Sequence, residues 1–147
     1  MPVQRVSVIT LGVADLAVSR KFYGDMGWVP RDEVPGKVIF YQIAGSVFGL
    51  FPHDELAKDQ GREGATLGTG AITLAHNHRS EAEVDAAYTK AIAAGATALK
   101  APEKTFWGGY AGYYADPDGH PWEVAFNPFW DLDDEGRQIL PDPTETA

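Results

Sequence analysis

The chain has 147 residues, which is enough for one domain with a hydrophobic core or for two small units of one architecture. Its 21 acidic and 12 basic residues give a formal net charge of −9, which argues against nucleic acids and anionic membranes as partners, because both select for basic patches. The absence of cysteine excludes disulfides, thiolate nucleophiles and thiolate metal sites.

The sequence carries no marker of export or of membrane insertion. No run approaches the ~18 consecutive apolar residues that a membrane-spanning helix needs. The N-terminal residues Met-Pro-Val-Gln-Arg lack the character of a signal peptide. We therefore expect a cytoplasmic protein whose partners include neither nucleic acid nor membrane.

The first part of the chain, about residues 6–51, predicts a β-α-β-β-β unit. Its first strand is rich in β-branched residues, and Asp15 is a suitable cap for the helix that follows. The predicted elements are strands over 6–13, 28–34, 37–43 and 46–51, with a helix between Asp15 and Gly27. The polar and glycine-rich residues 52–69 are predicted to form a linker.

The second part, about residues 70–127, predicts the same unit again. Ile72-Thr73-Leu74 repeats Ile9-Thr10-Leu11, and Ser80 with Glu83 forms a capping box. The predicted elements are strands over 70–76, 96–101, 109–115 and 121–126, with a helix between Ser80 and Gly95. Residues 129–147 are rich in acids and proline, and we expect them to form an acidic surface tail.

An internal repeat of this length indicates two supersecondary units that must pack together to bury their apolar faces. We therefore expect a ligand to bind at the seam between the two units.

Two motifs carry a resemblance to a known family. The first is Ile-Thr-Leu-Gly-Val-Ala-Asp-Leu over residues 9–16, continued by Ser19 and Phe22-Tyr23. The second is Tyr-Tyr-Ala-Asp-Pro-Asp-Gly-His-Pro-Trp-Glu-Val over residues 113–124. Together they resemble the vicinal oxygen chelate superfamily of glyoxalase I, bleomycin-resistance proteins and extradiol dioxygenases.

The resemblance extends over about residues 6–128 and implies an α+β fold. Two βαβββ modules would pair into an incomplete mixed β-barrel, so that residues 1–128 form a single domain. It also implies a homodimer and a small-molecule ligand bound on a concave sheet face.

Members of the family that use a metal take its ligands from four related strand positions. The resemblance places these positions at Val8, Gly49, Ala71 and Glu123, and only Glu123 can bind a metal. One carboxylate does not make a tight divalent site, so we expect no metal cofactor. An alternative is a shifted alignment that recruits His76 or His78, whose side chains share one face of a strand.

Glu123 is the candidate catalytic residue, because a carboxylate in an apolar cleft is suited to act as a general acid or base. The strands around it are unusually aromatic, and such a cleft suits a planar or apolar ligand, or a cation held by cation–π contacts. The candidate ligand-binding residues are Phe40, Gln42, Phe48, Trp107, Tyr110, Tyr113 and Trp122.

Two functions remain open at this point. The first is metal-independent binding of a small molecule, as the resemblance to bleomycin-resistance proteins implies. The second is an enzyme, namely a lyase, isomerase or dioxygenase-type protein that uses Glu123 as a base or as a ligand of a divalent metal.

Overall fold

The computed structural model describes residues 3–144 and divides the chain into two compact units, Met1–Thr69 and Gly70–Ala147. The first two residues of the predicted domain and the last three of the predicted tail lie outside the described residues. None of the helices within residues 3–144 has the length and apolar character needed to span a bilayer.

The first unit is a four-stranded mixed sheet with helix α1 against it. Its elements are β1 (Val8–Val13), α1 (Leu16–Asp25), β2 (Asp32–Val34), β3 (Val38–Ile43), β4 (Ser46–Pro52) and α2 (His53–Asp59). The strand order is β1-β4-β3-β2, with β1 and β4 parallel and the other pairs antiparallel. The predicted β-α-β-β-β unit is thus confirmed.

Helix α1 forms where its sequence supplies a cap and an apolar face. The Asp15 side chain accepts hydrogen bonds from the backbone of the first helical turn, 2.8 Å from the amide of Ala17. The helix buries Phe22 and Tyr23 against the sheet. The Tyr23 ring lies 5.4 Å from the ring of Phe48, so the core of this unit is largely aromatic.

The second unit has the same topology and a short additional hairpin. Its elements are β5 (Leu74–His78), α3 (Glu81–Ala93), β6 (Thr97–Lys104), β7 (Tyr110–Ala115), β8 (Pro121–Phe126), β9 (Asp131–Leu132) and β10 (Gln138–Ile139). The order in its main sheet is β5-β8-β7-β6, with β5 and β8 parallel. The α+β fold with two four-stranded mixed sheets is therefore confirmed, and β9 and β10 form a separate hairpin in the predicted tail.

One predicted strand is misplaced. We expected the first strand of the second unit over residues 70–76, but β5 begins at Leu74, after an exposed Ile72. The Ile-Thr-Leu repeat is therefore not structurally equivalent in the two units. The helix caps give the correct equivalence: counting back seven residues from Asp15 and from Ser80 gives Val8 and Thr73. The position equivalent to Val8 is thus Thr73, and the assignment to Ala71 was wrong.

Candidate functional site

The two faces of the second sheet have different compositions. The pairing of β5, β8 and β7 aligns Ala75, Glu123 and Tyr113 in one row, and residues in one row share a face of the sheet. The neighbouring residues Trp122 and Val124 lie on the opposite face, which packs against α3 and is buried. Glu123 is thus on the face that α3 leaves open.

The Asp-Pro-Asp-Gly turn fixes where β8 begins and therefore where Glu123 lies in the sheet. The buried Asp116 carboxylate accepts hydrogen bonds from the amides of Asp118 and His120, each at 2.9 Å. Gly119 has a φ of 92°, a backbone conformation that glycine adopts without strain. The Asp116 hydrogen bonds and the Gly119 conformation together close the turn, so β8 starts at a defined residue. Because side chains alternate between the two faces of a strand, this start fixes the face on which Glu123 lies.

A cavity of about 580 Å³ opens on this face of the second unit. It combines one carboxylate, two side-chain amides and three large aromatic rings. Its lining residues are Ala75, Asn77, Trp107, Glu123, Ala125, Asn127, Phe129 and Trp130.

The loop before β7 positions the Trp107 ring, which forms one wall of this cavity. The Thr105 hydroxyl accepts a hydrogen bond from the amide of Gly109 at 2.9 Å, which closes the loop. The Trp107 ring lies so close to Gly109 that a methyl group there would be 1.9 Å from it. A side chain at Gly108 would likewise meet the Phe129 ring at 3.0 Å. The two glycines therefore allow the aromatic rings to pack on the backbone beside the cavity.

Tyr113 is adjacent to Glu123 across the sheet. Partial burial raises the pKa of the Tyr113 hydroxyl, and the charge of Glu123 and a hydrogen bond to it raise this pKa further. Tyr113 is thus a neutral hydroxyl at physiological pH, able to donate a hydrogen bond to the carboxylate.

The two histidines of β5 do not join Glu123. His76 and His78 share a strand face, as expected, with ring centroids 6.3 Å apart. The His76 ring stacks on Trp122 at 4.7 Å, and Trp122 is on the face opposite Glu123. A metal site that combines these imidazoles with Glu123 is therefore not formed.

The first unit has its own open face, where the predicted residues Phe40 and Gln42 lie. Both line a cavity of about 350 Å³ together with Val8, Arg31 and other neighbours. The Phe40 ring covers Gly49, where an added Cβ would lie 3.1 Å from the ring. Gly49 is four residues after the turn glycine of its hairpin, as Glu123 is in the second unit.

Three predicted ligand-binding residues lie elsewhere. Phe48 and Trp122 are 1% and 3% exposed and belong to the two cores, because their strand positions alternate with those of the open faces. Tyr110 is on the α3 side of the second sheet, where its hydroxyl donates a hydrogen bond to Asp85 at 2.7 Å. None of the three lines the cavity around Glu123.

Six residues of this cavity were not among the predicted site residues. They are Ala75, Asn77, Ala125, Asn127, Phe129 and Trp130. The last three directly follow β8, in the segment that we assigned to the domain end and the acidic tail. The signal that could have found them is the aromatic pair at 129–130, which is unusual in an acidic surface tail.

The resemblance to metal-using family members implies a divalent metal, and the residues present do not fit one. Its four positions hold Val8, Gly49, Thr73 and Glu123, which supply one carboxylate and one weakly ligating hydroxyl. At Gly49 the space beside the backbone is filled by the Phe40 ring. Within residues 3–144, no cluster of three or more His, Cys, Asp or Glu side chains has the geometry to hold a metal ion.

The protein belongs to the superfamily whose sequence model it matches over most of its length. A sequence model described as Glyoxalase/Bleomycin resistance protein/Dioxygenase superfamily matches residues 5–124, which is most of the chain. The resemblance drawn from the two motifs is therefore confirmed.

Two solved structures with glyoxalase descriptions and one curated relative are similar to this chain. A glyoxalase-related enzyme from Fulvimarina pelagi is 41% identical, with a TM-score of 0.89 over 95% of this chain and 100% of that chain. A glyoxalase/bleomycin resistance protein from Albidiferax ferrireducens is 29% identical, with a TM-score of 0.63 over 84% of this chain and 98% of that chain. An uncharacterized protein of Mycobacterium bovis is 32% identical over 104 residues, which are 69% of this chain and 65% of the relative. The match therefore spans slightly less than two thirds of that relative.

Proposed function

We propose that the protein binds a small molecule with a planar or apolar body and a positively charged group, on the open face of the second sheet. The observation that carries this proposal is the composition of the 580 Å³ cavity. Among the described residues that line it, Glu123 is the one charged side chain, and Trp107, Phe129 and Trp130 supply aromatic surface.

Each part of this cavity favours the same ligand chemistry. Aromatic rings attract cations through their quadrupole and bury planar groups over a large area. A carboxylate beside them adds a charge-assisted hydrogen bond to an ammonium or amidinium group. The net charge of −9 favours the approach of cations over that of anions.

The proposed binding is independent of a metal. Val8, Gly49 and Thr73, three of the four family positions, offer no strong metal ligand. The Phe40 ring also fills the space beside Gly49. In this proposal Glu123 contacts the ligand directly.

The test is a titration of the full chain with ethidium, a planar aromatic cation, followed by tryptophan quenching. We expect saturable binding that Glu123→Gln weakens about tenfold, because it removes one charge-assisted contact worth roughly 1.5 kcal/mol. Glu103→Gln is the matched control, since Glu103 is an exposed glutamate in the same unit that pairs with Lys100 at 3.1 Å. Equal binding by wild type and Glu123→Gln would refute the role of the carboxylate.

A second candidate function is catalysis, with Glu123 as a base in a lyase, isomerase or dioxygenase-type reaction. It is favoured by the Tyr113 hydroxyl, which is hydrogen-bonded beside the carboxylate and could exchange a proton with a bound substrate. The 41% identity to a glyoxalase-related enzyme also supports it. An enzyme would lose turnover in Glu123→Gln while retaining substrate affinity, whereas a binding protein would lose affinity.

We also propose that the protein acts as a homodimer in the cytoplasm, where the homodimer is what the resemblance to this superfamily implies. Sedimentation velocity across a range of concentrations tests this, with a single monomeric species as the contrary result.

A further inference from the structure

We infer that Arg79 is a positioning residue that holds the C-terminal strap, defined here as residues 127–140, against the second unit. Through the strap it places Phe129 and Trp130 at the cavity. The effect on ligand affinity rests on the proposed function, whereas the effect on the strap does not.

Arg79 contacts the strap through backbone groups. Its guanidinium donates to the carbonyl of Leu132 at 3.3 Å and to that of Asp133 at 2.5 Å. The planar fork of arginine can bond two successive carbonyls at once, which the point charge of lysine does with less geometric definition. The contact therefore fixes the position of the chain in the strap, whatever side chains it carries.

Arg79 is itself held at a defined point of the fold. It lies between β5 and α3, where its amide donates a hydrogen bond to the Glu83 carboxylate at 2.6 Å. Glu83 is also tied to the helix cap, because its amide donates to the Ser80 hydroxyl. The start of α3 is thus the rigid base from which the arginine reaches the strap.

The strap contains a local hairpin, but its side chains bury little apolar surface. Asp133 accepts hydrogen bonds from the amides of Glu135 and Arg137, which closes the turn between β9 and β10. A two-stranded hairpin of this kind is at best marginally stable alone. Phe129 and Trp130 are 66% and 43% exposed, so apolar contacts such as that of the Phe129 ring with Gly108 hold them only in part. Polar ties to the rest of the unit must therefore supply much of the order.

A second tie leads from the strap directly to the cavity. The Gln138 side-chain oxygen accepts a hydrogen bond from the Asn77 amide at 2.7 Å, and Asn77 is one of the lining residues. The strap is therefore connected to the site at both its aromatic end and its hairpin.

The strap lies beyond residues 5–124, the part of the chain that the superfamily model matches. Two of the three aromatic rings of the cavity thus come from outside the region that defines the superfamily. It follows that ligand specificity in this protein depends on the strap and on the residue that holds it.

The test is hydrogen–deuterium exchange of the full chain carrying Arg79→Ala. The probes are the amides of Asp133 and Trp130, which donate within the strap to the carbonyls of Arg137 and Asn127. We expect these amides to exchange at least about tenfold faster, because local opening sets their protection. Arg20→Ala is the matched control: it removes an arginine with two hydrogen bonds to Glu33, but in the first unit.

Two further variants keep the test decisive if Arg79→Ala fails to fold. Arg79→Lys should give an intermediate exchange rate, and Gln138→Ala should loosen the hairpin end through the loss of the Asn77 contact. Unchanged strap exchange in all soluble variants would overturn the inference.

Ligand binding separates this inference from the proposed function. If ethidium binds the wild type, Arg79→Ala should weaken binding several-fold while the far strands keep their protection. Faster strap exchange with unchanged affinity would overturn the positioning role. If ethidium does not bind the wild type at all, the proposed function fails, and the exchange result alone still decides whether Arg79 holds the strap.

Discussion

His76 shows how a single partly buried residue links this structure to pH. Its ring stacks on Trp122 under α3, and burial lowers its pKa to about 4, with the charge of His78 contributing further. Burial also lowers the pKa of His78, against an opposing effect of Glu83. Both rings are therefore neutral in the folded protein at pH values where an exposed histidine is charged.

The consequence is a loss of stability in mild acid. Between pH 6.5 and about 4 the unfolded chain binds a proton at His76 that the folded chain does not. The free energy of unfolding therefore decreases as the pH is lowered from 6.5 to about 4, by roughly 3 kcal/mol for this change in the pKa of His76. Below this window the loss levels off.

We predict that His76→Phe, which keeps an aromatic ring against Trp122 but cannot be protonated, makes the decline shallower. The measurement is the urea midpoint at pH 7.5, 6, 5 and 4.5 for both proteins. Parallel curves for variant and wild type would show that His76 does not contribute to the acid sensitivity.

At the scale of elements, the caps mark the equivalent points of the two units. The Asp15 carboxylate caps α1 at 2.8 Å from the amide of Ala17, and the Ser80 hydroxyl caps α3 at 3.1 Å from the amide of Glu83. The caps and strand pairing agree in making Thr10 equivalent to Ala75, whereas the repeated tripeptide does not. Caps are the better guide because they are tied to backbone geometry.

We predict that Asp15→Ala lowers the free energy of unfolding by about 1 kcal/mol, because two amides of the first turn of α1 lose their acceptor. Asp15→Asn should retain most of the stability, since its amide oxygen can accept the same bonds. Chemical denaturation followed by circular dichroism measures both. An alanine variant as stable as the asparagine variant would contradict the role of the cap.

At the scale of the whole molecule, the superfamily fold is present, and the strand positions that the resemblance assigns to metal ligands hold residues that do not make a strong donor set. Val8, Gly49 and Thr73 stand where strong ligands would be needed, and Phe40 fills the space beside Gly49. A fold can retain a concave ligand-binding face after the chemistry on it changes.

We predict that Ni²⁺, Zn²⁺ and Mn²⁺ each leave the melting temperature of the full chain unchanged at a small molar excess, because a ligand stabilises only in proportion to its binding. Differential scanning fluorimetry with and without a chelator measures this. A saturable rise that Glu123→Gln removes would instead establish a metal site and favour the enzymatic alternative.

The sequence alone determined the superfamily and the two β-α-β-β-β units, and it singled out Glu123, which the structure places in the lining of a cavity. These follow from local signals: strand alternation, helix caps and the Asp-Pro-Asp-Gly turn act over a few residues and can be read along the chain. The structure places two of the predicted residues near Glu123: Trp107 in the cavity lining and Tyr113 opposite Glu123 on the neighbouring strand.

The tertiary structure decided which side chains share the site with Glu123. A shift of one residue moves a strand side chain to the other face, so the sequence could not separate Trp122, which is buried, from Trp107. Phe129 and Trp130 line the cavity, and Arg79 bonds the strap that carries them more than fifty residues away in sequence, at Leu132 and Asp133. Such long-range contacts leave no local pattern in the sequence, so only the tertiary structure could place Phe129 and Trp130 at the cavity.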